Sequence, residues 1–259
     1  MIGFISILLI SFFFSGLVNR TKSIVAGRKS PVILQPVKDV IKLLRKGSVY
    51  SSTSSIIFRV APTIYFSSVL SAILFIPFGT FPGILSFNFD FVMFAYLLAF
   101  GKFFMIIASL DTGSSFEGMG ASREALYSML IEPAFFITMG SLSLFTGYTS
   151  FYRIFESIHF INPEMQAVSI SFSLIAVYVF MVMGLIENSR IPVDDPNTHL
   201  ELTMIHEVMV LDNSGFDLGL ILFTSFIKFA MYGALISNLF LSYFSSIPVM
   251  IIIFLGIQF

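Results

Sequence analysis

Acidic side chains bunch in one window of an otherwise apolar chain. Residues 184–212 read GLIENSRIPVDDPNTHLELTMIHEVMVLD, and seven of the protein's 15 Asp and Glu residues fall between Glu187 and Asp217, where Arg190 is the single Lys or Arg. His206-Glu207 begins a zinc-protease pattern, but Val210 stands where the second histidine belongs. His199 and His206 have no third ligand in register, so no metal site is expected. Carboxylates that change proton affinity with burial and neighbouring charge suit proton or ion handling.

Three more charges lie inside apolar runs: Lys102, Glu132 and Lys228, while Asp111 and Glu187 stand at the ends of two such runs. Each costs about 2.5–3.5 kcal/mol at a bilayer centre on insertion scales, so each is expected to face a bundle interior, water or another charge. Pro133 follows Glu132, and its ring removes a helical hydrogen bond, which predicts a kink beside the carboxylate. Lys102, Asp111, Glu132, Glu187, Asp194, Asp195, Glu201, Glu207 and Lys228 are the expected proton or ion path.

These residues need a scaffold. The chain has 259 residues, 56% apolar and only 11% charged, against about 25% charged in a soluble domain. A lipid bilayer is the implied solvent. The net charge of −1 carries no nucleic-acid signal. Cysteine is absent, so this chain cannot hold thiolate-bound iron–sulfur clusters.

Apolar runs near 2–19, 56–79, 88–110, 126–148, 166–186 and 218–244 are long enough to span, since about 20 residues cross the hydrocarbon. A seventh begins near Ile247 and stops short at Phe259. The expected fold is an all-α polytopic membrane protein of about seven helices in a single membrane domain, 1–259. Eight Lys and Arg lie in 20–55, with Arg123 and Arg190 in the third and fifth loops, against Arg153 alone in the alternate loops. Positive charge marks the inner side, so loops 20–55, 111–125 and 187–217 are expected in the cytoplasm and the N-terminus outside.

The three loops differ. In loop one, Val37, Val40, Ile41 and Leu44 form a helical stripe among Lys38, Asp39, Lys42, Arg45 and Lys46. That predicts an amphipathic helix on anionic lipid or a ledge for a partner. Loop three, DTGSSFEGMGASREALYS, reads as a compact turn with Ser122 capping the next helix. In loop five, Thr198 and Glu201 have capping-box spacing for a short helix over about 199–211. Its interleaved apolar residues call for a cover from another protein.

The loop-five residues resemble the subunit 1 family of respiratory complex I, in its hydrogenase-linked branch (the formate hydrogenlyase and hydrogenase-4 membrane subunits of group 4 nickel–iron hydrogenases). Glu187, Arg190, Pro192 and Asp194 match an E-x-x-R-x-P-x-D core, and Glu201-Leu202 a later Glu-Leu. DTGSSFEGMGASRE and RKSPVILQPVKDVIKLLRKG agree with it. The resemblance implies a non-catalytic anchor and energy-coupling subunit. Its partners would be hydrogenase large, small and iron–sulfur subunits of a soluble arm, together with antiporter-like membrane subunits. The nickel–iron centre and iron–sulfur clusters would sit in those partners, with no cofactor in this chain. Arg190, Pro192, His199, His206, Arg123, Lys38, Asp39 and Lys42 would dock the arm. A quinone-site subunit of NADH dehydrogenase and a free-standing ion transporter are the alternatives.

Overall fold

The structure is a computed structural model, and the description covers residues 2–51, 54–159, 165–190, 194 and 205–241. Among these residues the chain is helical: α1 (Ile2–Val25), α2 (Gln35–Leu44), α3 (Ile56–Ala72, running into a 3-10 turn, Ile73–Phe75), α4 (Asp90–Asp111), α5 (Ser115–Thr146), α6 (Phe151–His159), α7 (Gln166–Glu187), α8 (His206–Met209) and α9 (Gly215–Leu241). Six of them, α1, α3, α4, α5, α7 and α9, are long and apolar enough to cross a membrane. In hydrocarbon a helix satisfies its own backbone groups, which is why unbroken apolar runs of this length become helices. The expected seventh span lies outside the described residues.

The central helix is α9, two thirds buried (67%), whereas α5 and α7 are only 28% buried and form the periphery. Helix α9 packs on α1, α2, α3 and α7, and α3 lies closely along α4. The outward faces carry Phe100, Phe103, Met129, Ile137, Leu144, Ile175 and Tyr178. An outer surface this apolar suits lipid rather than water.

Three expectations need correction. Helix α1 runs on past Arg20 and Lys22 to Val25. Loop three is not a turn: α5 begins at Ser115, so only residues 112–114 separate it from α4. Ser122, read as a cap, lies inside α5 and donates to the Met119 carbonyl at 2.9 Å. Gly120, which looks like a turn residue, is instead a contact point: a Cβ there would stand 2.9 Å from Ile205 O and Met209 N of the α8 turn. Third, α2 turns Val40, Leu43 and Leu44 inward while Ile41 is 45% exposed. Gly219 of α9 meets Leu43 and Leu44, and Gly215 meets the carbonyl of Gly47. The apolar side of α2 is thus spent on the bundle and not on a lipid surface.

Candidate functional site: a buried charge network under α8

Four helices converge on one set of charges. Lys102 comes from α4, Glu124 from α5, Glu187 from the last residue of α7 and Lys228 from α9. The Lys102 ammonium lies 3.1 Å from Glu124 Oε1 and 2.5 Å from Glu187 Oε1. Lys228 pairs with the other Glu187 oxygen, donates to the Glu187 carbonyl at 3.1 Å, and donates to the Tyr65 hydroxyl at 3.2 Å. Tyr232 is buried on α9 one turn beyond Lys228.

The order is therefore Glu124, Lys102, Glu187, Lys228, Tyr65: two cations and two anions. Lys102 and Glu124 are each 6% exposed and Lys228 is 2% exposed. Charges so buried are tolerable only when paired and hydrogen-bonded, as each of these is.

Small residues bring the helices together. A Cβ on Gly101 would stand 2.1 Å from Ser68 Oγ, and one on Gly184 3.2 Å from the Tyr232 Cβ. Glycines at such points let backbones approach closely. The first sets Lys102 beside α3, and the second sets Glu187, three residues on, beside Lys228. Lys228 also faces the negative C-terminal end of α7, where a cation is favoured.

Loop-five residues roof this network. The Asp194 carboxylate accepts from Ile205 N at 3.2 Å and His206 N at 3.1 Å, so it caps α8 from a distance in sequence. His206 lies close enough to Glu124 and Lys228 for their charges to act on it. Burial pushes its imidazole below the ordinary value of 6.5; Glu124 pulls the other way, and Lys228 adds to the depression. Glu117, fully buried, accepts from Asp212 N at 2.8 Å and ties the end of the α8 turn to α5. Loop one closes the other side. Ser214 Oγ accepts from Val49 N at 3.0 Å, and burial followed by a hydrogen bond to Asp217 pushes the Tyr50 phenol above its ordinary range.

Other expected site residues lie elsewhere. Asp111 Oδ2 accepts from Ser55 N at 2.7 Å and holds the start of α3. Glu207 is exposed. Glu132 is exposed and makes no ion pair among the described residues. It lines a narrow cleft, about 30 Å³ in volume, together with Lys102, Glu187 and Tyr232.

Helical geometry explains why Glu124, and not Glu132, meets Lys102. Eight residues along α5 turn the side chain by about 80° and carry it about 12 Å further on. α5 continues as one helix past Pro133.

Lys38, Asp39 and Lys42 are exposed on α2, with Asp39 bonded to Gln35 Nε2 at 2.9 Å and 3.8 Å from Lys42. Arg123 Nη2 contacts Met119 Sδ at 3.4 Å. Arg190 is partly buried with its guanidinium 5.7 Å from the Phe229 ring centre, and burial lowers its pKa. Pro192, Asp195, His199 and Glu201 lie outside the described residues, as do residues 199–204 of the helix expected over 199–211; of its described part only His206–Met209 is helical. Glu124, Glu117, Tyr65 and Tyr232 are members of the site that spacing alone does not single out. For the two glutamates a signal is present: once 115–125 is helical, Glu117, Gly120, Ala121 and Glu124 fall on one face at i, i+3, i+4, i+7.

This architecture has known counterparts. The chain is 30% identical over 188 residues to formate hydrogenlyase subunit 4 of Escherichia coli K12, covering 73% of this chain and 60% of that protein. It is 30% identical over 203 residues to hydrogenase-4 component C of the same organism, covering 76% and 61%. A subunit of the NADH-quinone oxidoreductase of Rubrobacter xylanophilus is 28% identical over 216 residues, covering 81% and 62%. The chain thus spans about three fifths of the length of these relatives. A chain of the membrane-bound sulfane sulfur reductase, an archaeal respiratory membrane complex, shares the fold with a TM-score of 0.75 at 18% identity, covering 98% of this chain and 83% of that one. A family profile described as NADH dehydrogenase matches residues 1–259, and the chain is a multi-pass membrane protein belonging to that family.

Proposed function

We propose that this chain is the membrane anchor and coupling subunit of a membrane-bound nickel–iron hydrogenase of the formate hydrogenlyase or hydrogenase-4 type. In this reading it links redox chemistry in a soluble arm to proton or sodium movement through neighbouring membrane subunits. The single observation carrying it is the run Glu124–Lys102–Glu187–Lys228 directly under the α8 turn, approached from the loops above and from the cleft at Glu132. A change of charge over loop five acts first on His206 and Glu124, and Glu124 competes with Glu187 for Lys102. Moving Lys102 from one carboxylate to the other shifts a neutralising charge between them, so the two ends of the run are electrostatically coupled. The two named hydrogenase relatives support the choice of arm. With no cysteine in the chain, the metal centres belong to the partners. Loops one, three and five face the cytoplasm of a prokaryotic cell, and the N-terminus lies outside.

The test is purification of the tagged chain from its own membrane in mild detergent. Nickel, iron and a nickel-binding large subunit are expected to co-elute. A lone chain that transports ions, or partners that oxidise NADH with quinone, would overturn the reading. In sealed vesicles of the complex, E124Q is expected to cut ion uptake by about tenfold, a barrier change of roughly 1.4 kcal/mol, while dye-linked hydrogen oxidation persists.

A further inference from the structure

The narrow cleft beside Lys102 and Glu187 ends on a floor of rings. Phe94 of α4 and Phe135 of α5 line it together with the charged side chains. Phe94 lies eight residues before Lys102, about 12 Å along the helix, toward the end of α4 that starts at Asp90. Loop five is at the other end. The two ring centres are 5.6 Å apart, and Phe151 of α6 packs on both, 5.4 Å from Phe94 and 6.4 Å from Phe135. Phe91 and Phe155 lie 6.2 and 5.9 Å from Phe151, and Phe180 of α7 lies 6.2 Å from Phe135. All six rings are buried. Helix α6, which supplies two of them, is pinned at both ends. Asp90, itself fully buried, accepts from Phe151 N at 2.7 Å and from the Ser150 hydroxyl at 3.1 Å, which caps the start of α6 from another helix. Ser169 of α7 donates to the Ile158 carbonyl at 2.8 Å, at its far end. Arg153 and Glu156 stand on its exposed side. A water inside a protein needs two to four polar partners, and a buried ion needs a paired charge. Phenylalanine rings packed on one another offer neither.

We propose that α6 is the plug of an ion barrier. Its Phe151 and Phe155, with Phe91, Phe94, Phe135 and Phe180 from three spans, form a dry layer that insulates the charge network from the side of the membrane opposite loop five. Asp90 is the positioning residue: it touches no ion, and it holds the first turn of α6 so that Phe151 stays seated against Phe94 and Phe135. The proposal goes beyond the hydrogenase reading and needs only the network and the layer beneath it.

The chain has no cysteine, so a single A99C reports on the cleft, which Ala99 lines. Sealed native vesicles of either orientation are treated with a membrane-impermeant cationic thiol reagent, and the tagged chain is then isolated and weighed by mass spectrometry. A membrane-permeant thiol reagent is expected to label A99C, whereas the impermeant one leaves it unmodified from the α6 side. A99C/F151A and A99C/D90A are expected to react from that side at least about tenfold faster, a barrier lowered by roughly 1.4 kcal/mol. A99C/F151L, which keeps the bulk and stays apolar, should remain closed, and D90N, which still accepts from Phe151 N, should too. Labelling of A99C itself from the α6 side overturns the proposal, and that arm needs no weakened variant. Rates unchanged in both F151A and D90A overturn it as well, and faster labelling in F151A alone removes the role given to Asp90. None of these results bears on the hydrogenase reading, which co-elution of nickel tests separately.

Discussion

Lys228 holds Glu187 twice, through the side-chain carboxylate and through the main-chain carbonyl 3.1 Å away. One ammonium thus neutralises an acid and also caps the C-terminal end of α7, while Lys102 takes the second carboxylate oxygen at 2.5 Å. Three spanning helices are tied at one point, so the network is structural as well as electrostatic.

Removing one member leaves an unpaired buried charge. K228M and K102M are each expected to destabilise the detergent-solubilised chain by about 3–5 kcal/mol, read as a lower unfolding temperature by intrinsic tyrosine fluorescence. The double variant K228M/E187Q, which removes an opposite pair, should recover part of the loss. A double variant as unstable as the sum of its singles would show that the two residues do not form a pair.

Gly120→Val tests the seat of α8. Its Cβ would meet Ile205 O and Met209 N at 2.9 Å, and overpacking of this kind costs roughly 1–3 kcal/mol. Faster hydrogen exchange is expected at 205–212, with the spans unchanged. Identical exchange rates would place α8 elsewhere.

Asp194 is a cap supplied from outside the helix it caps. D194A is expected to cost about 0.5–2 kcal/mol of local stability and to open loop five to protease. D194N, which still accepts both amide hydrogens, should stay close to wild type. Equal sensitivity of the two variants would remove the capping role.

His206 makes the roof pH-dependent. Its folded-state pKa lies below the ordinary 6.5, so the unfolded or undocked loop binds more protons in the window beneath that value. Stability rises with pH wherever the unfolded state binds more protons. The histidine's contribution is therefore fully present above about pH 6.5 and is lost as pH falls through the depressed value. Protection factors at 205–212, which allow for the intrinsic slowing of amide exchange in acid, should fall on acidification below about pH 6.5, and H206Q should flatten the response. A profile unchanged in H206Q would assign the effect to another group.

Much of this molecule can be read from residue order. Apolar runs of spanning length, the acidic loop between Glu187 and Asp217, and Lys102 and Lys228 within spans follow from spacing alone. The family is legible as well, through the resemblance that Glu187, Arg190, Pro192 and Asp194 carry. These are local properties, set by the cost of polar groups in hydrocarbon.

What stayed hidden depended on contacts between distant segments. Gly118 and Gly120 look like turn formers, and the start of α5 at Ser115 is sustained by tertiary contacts: Glu117 on the backbone of Asp212, and Gly120 against α8. That start decides the phase of the whole helix. It turns Glu124 onto Lys102 and leaves Glu132 on the rim. Sequence alone determined that charges would be buried in a membrane bundle. Only the tertiary structure decided which carboxylate meets which ammonium, because a pairing set by the rotation of one helix against another cannot be read along a single chain.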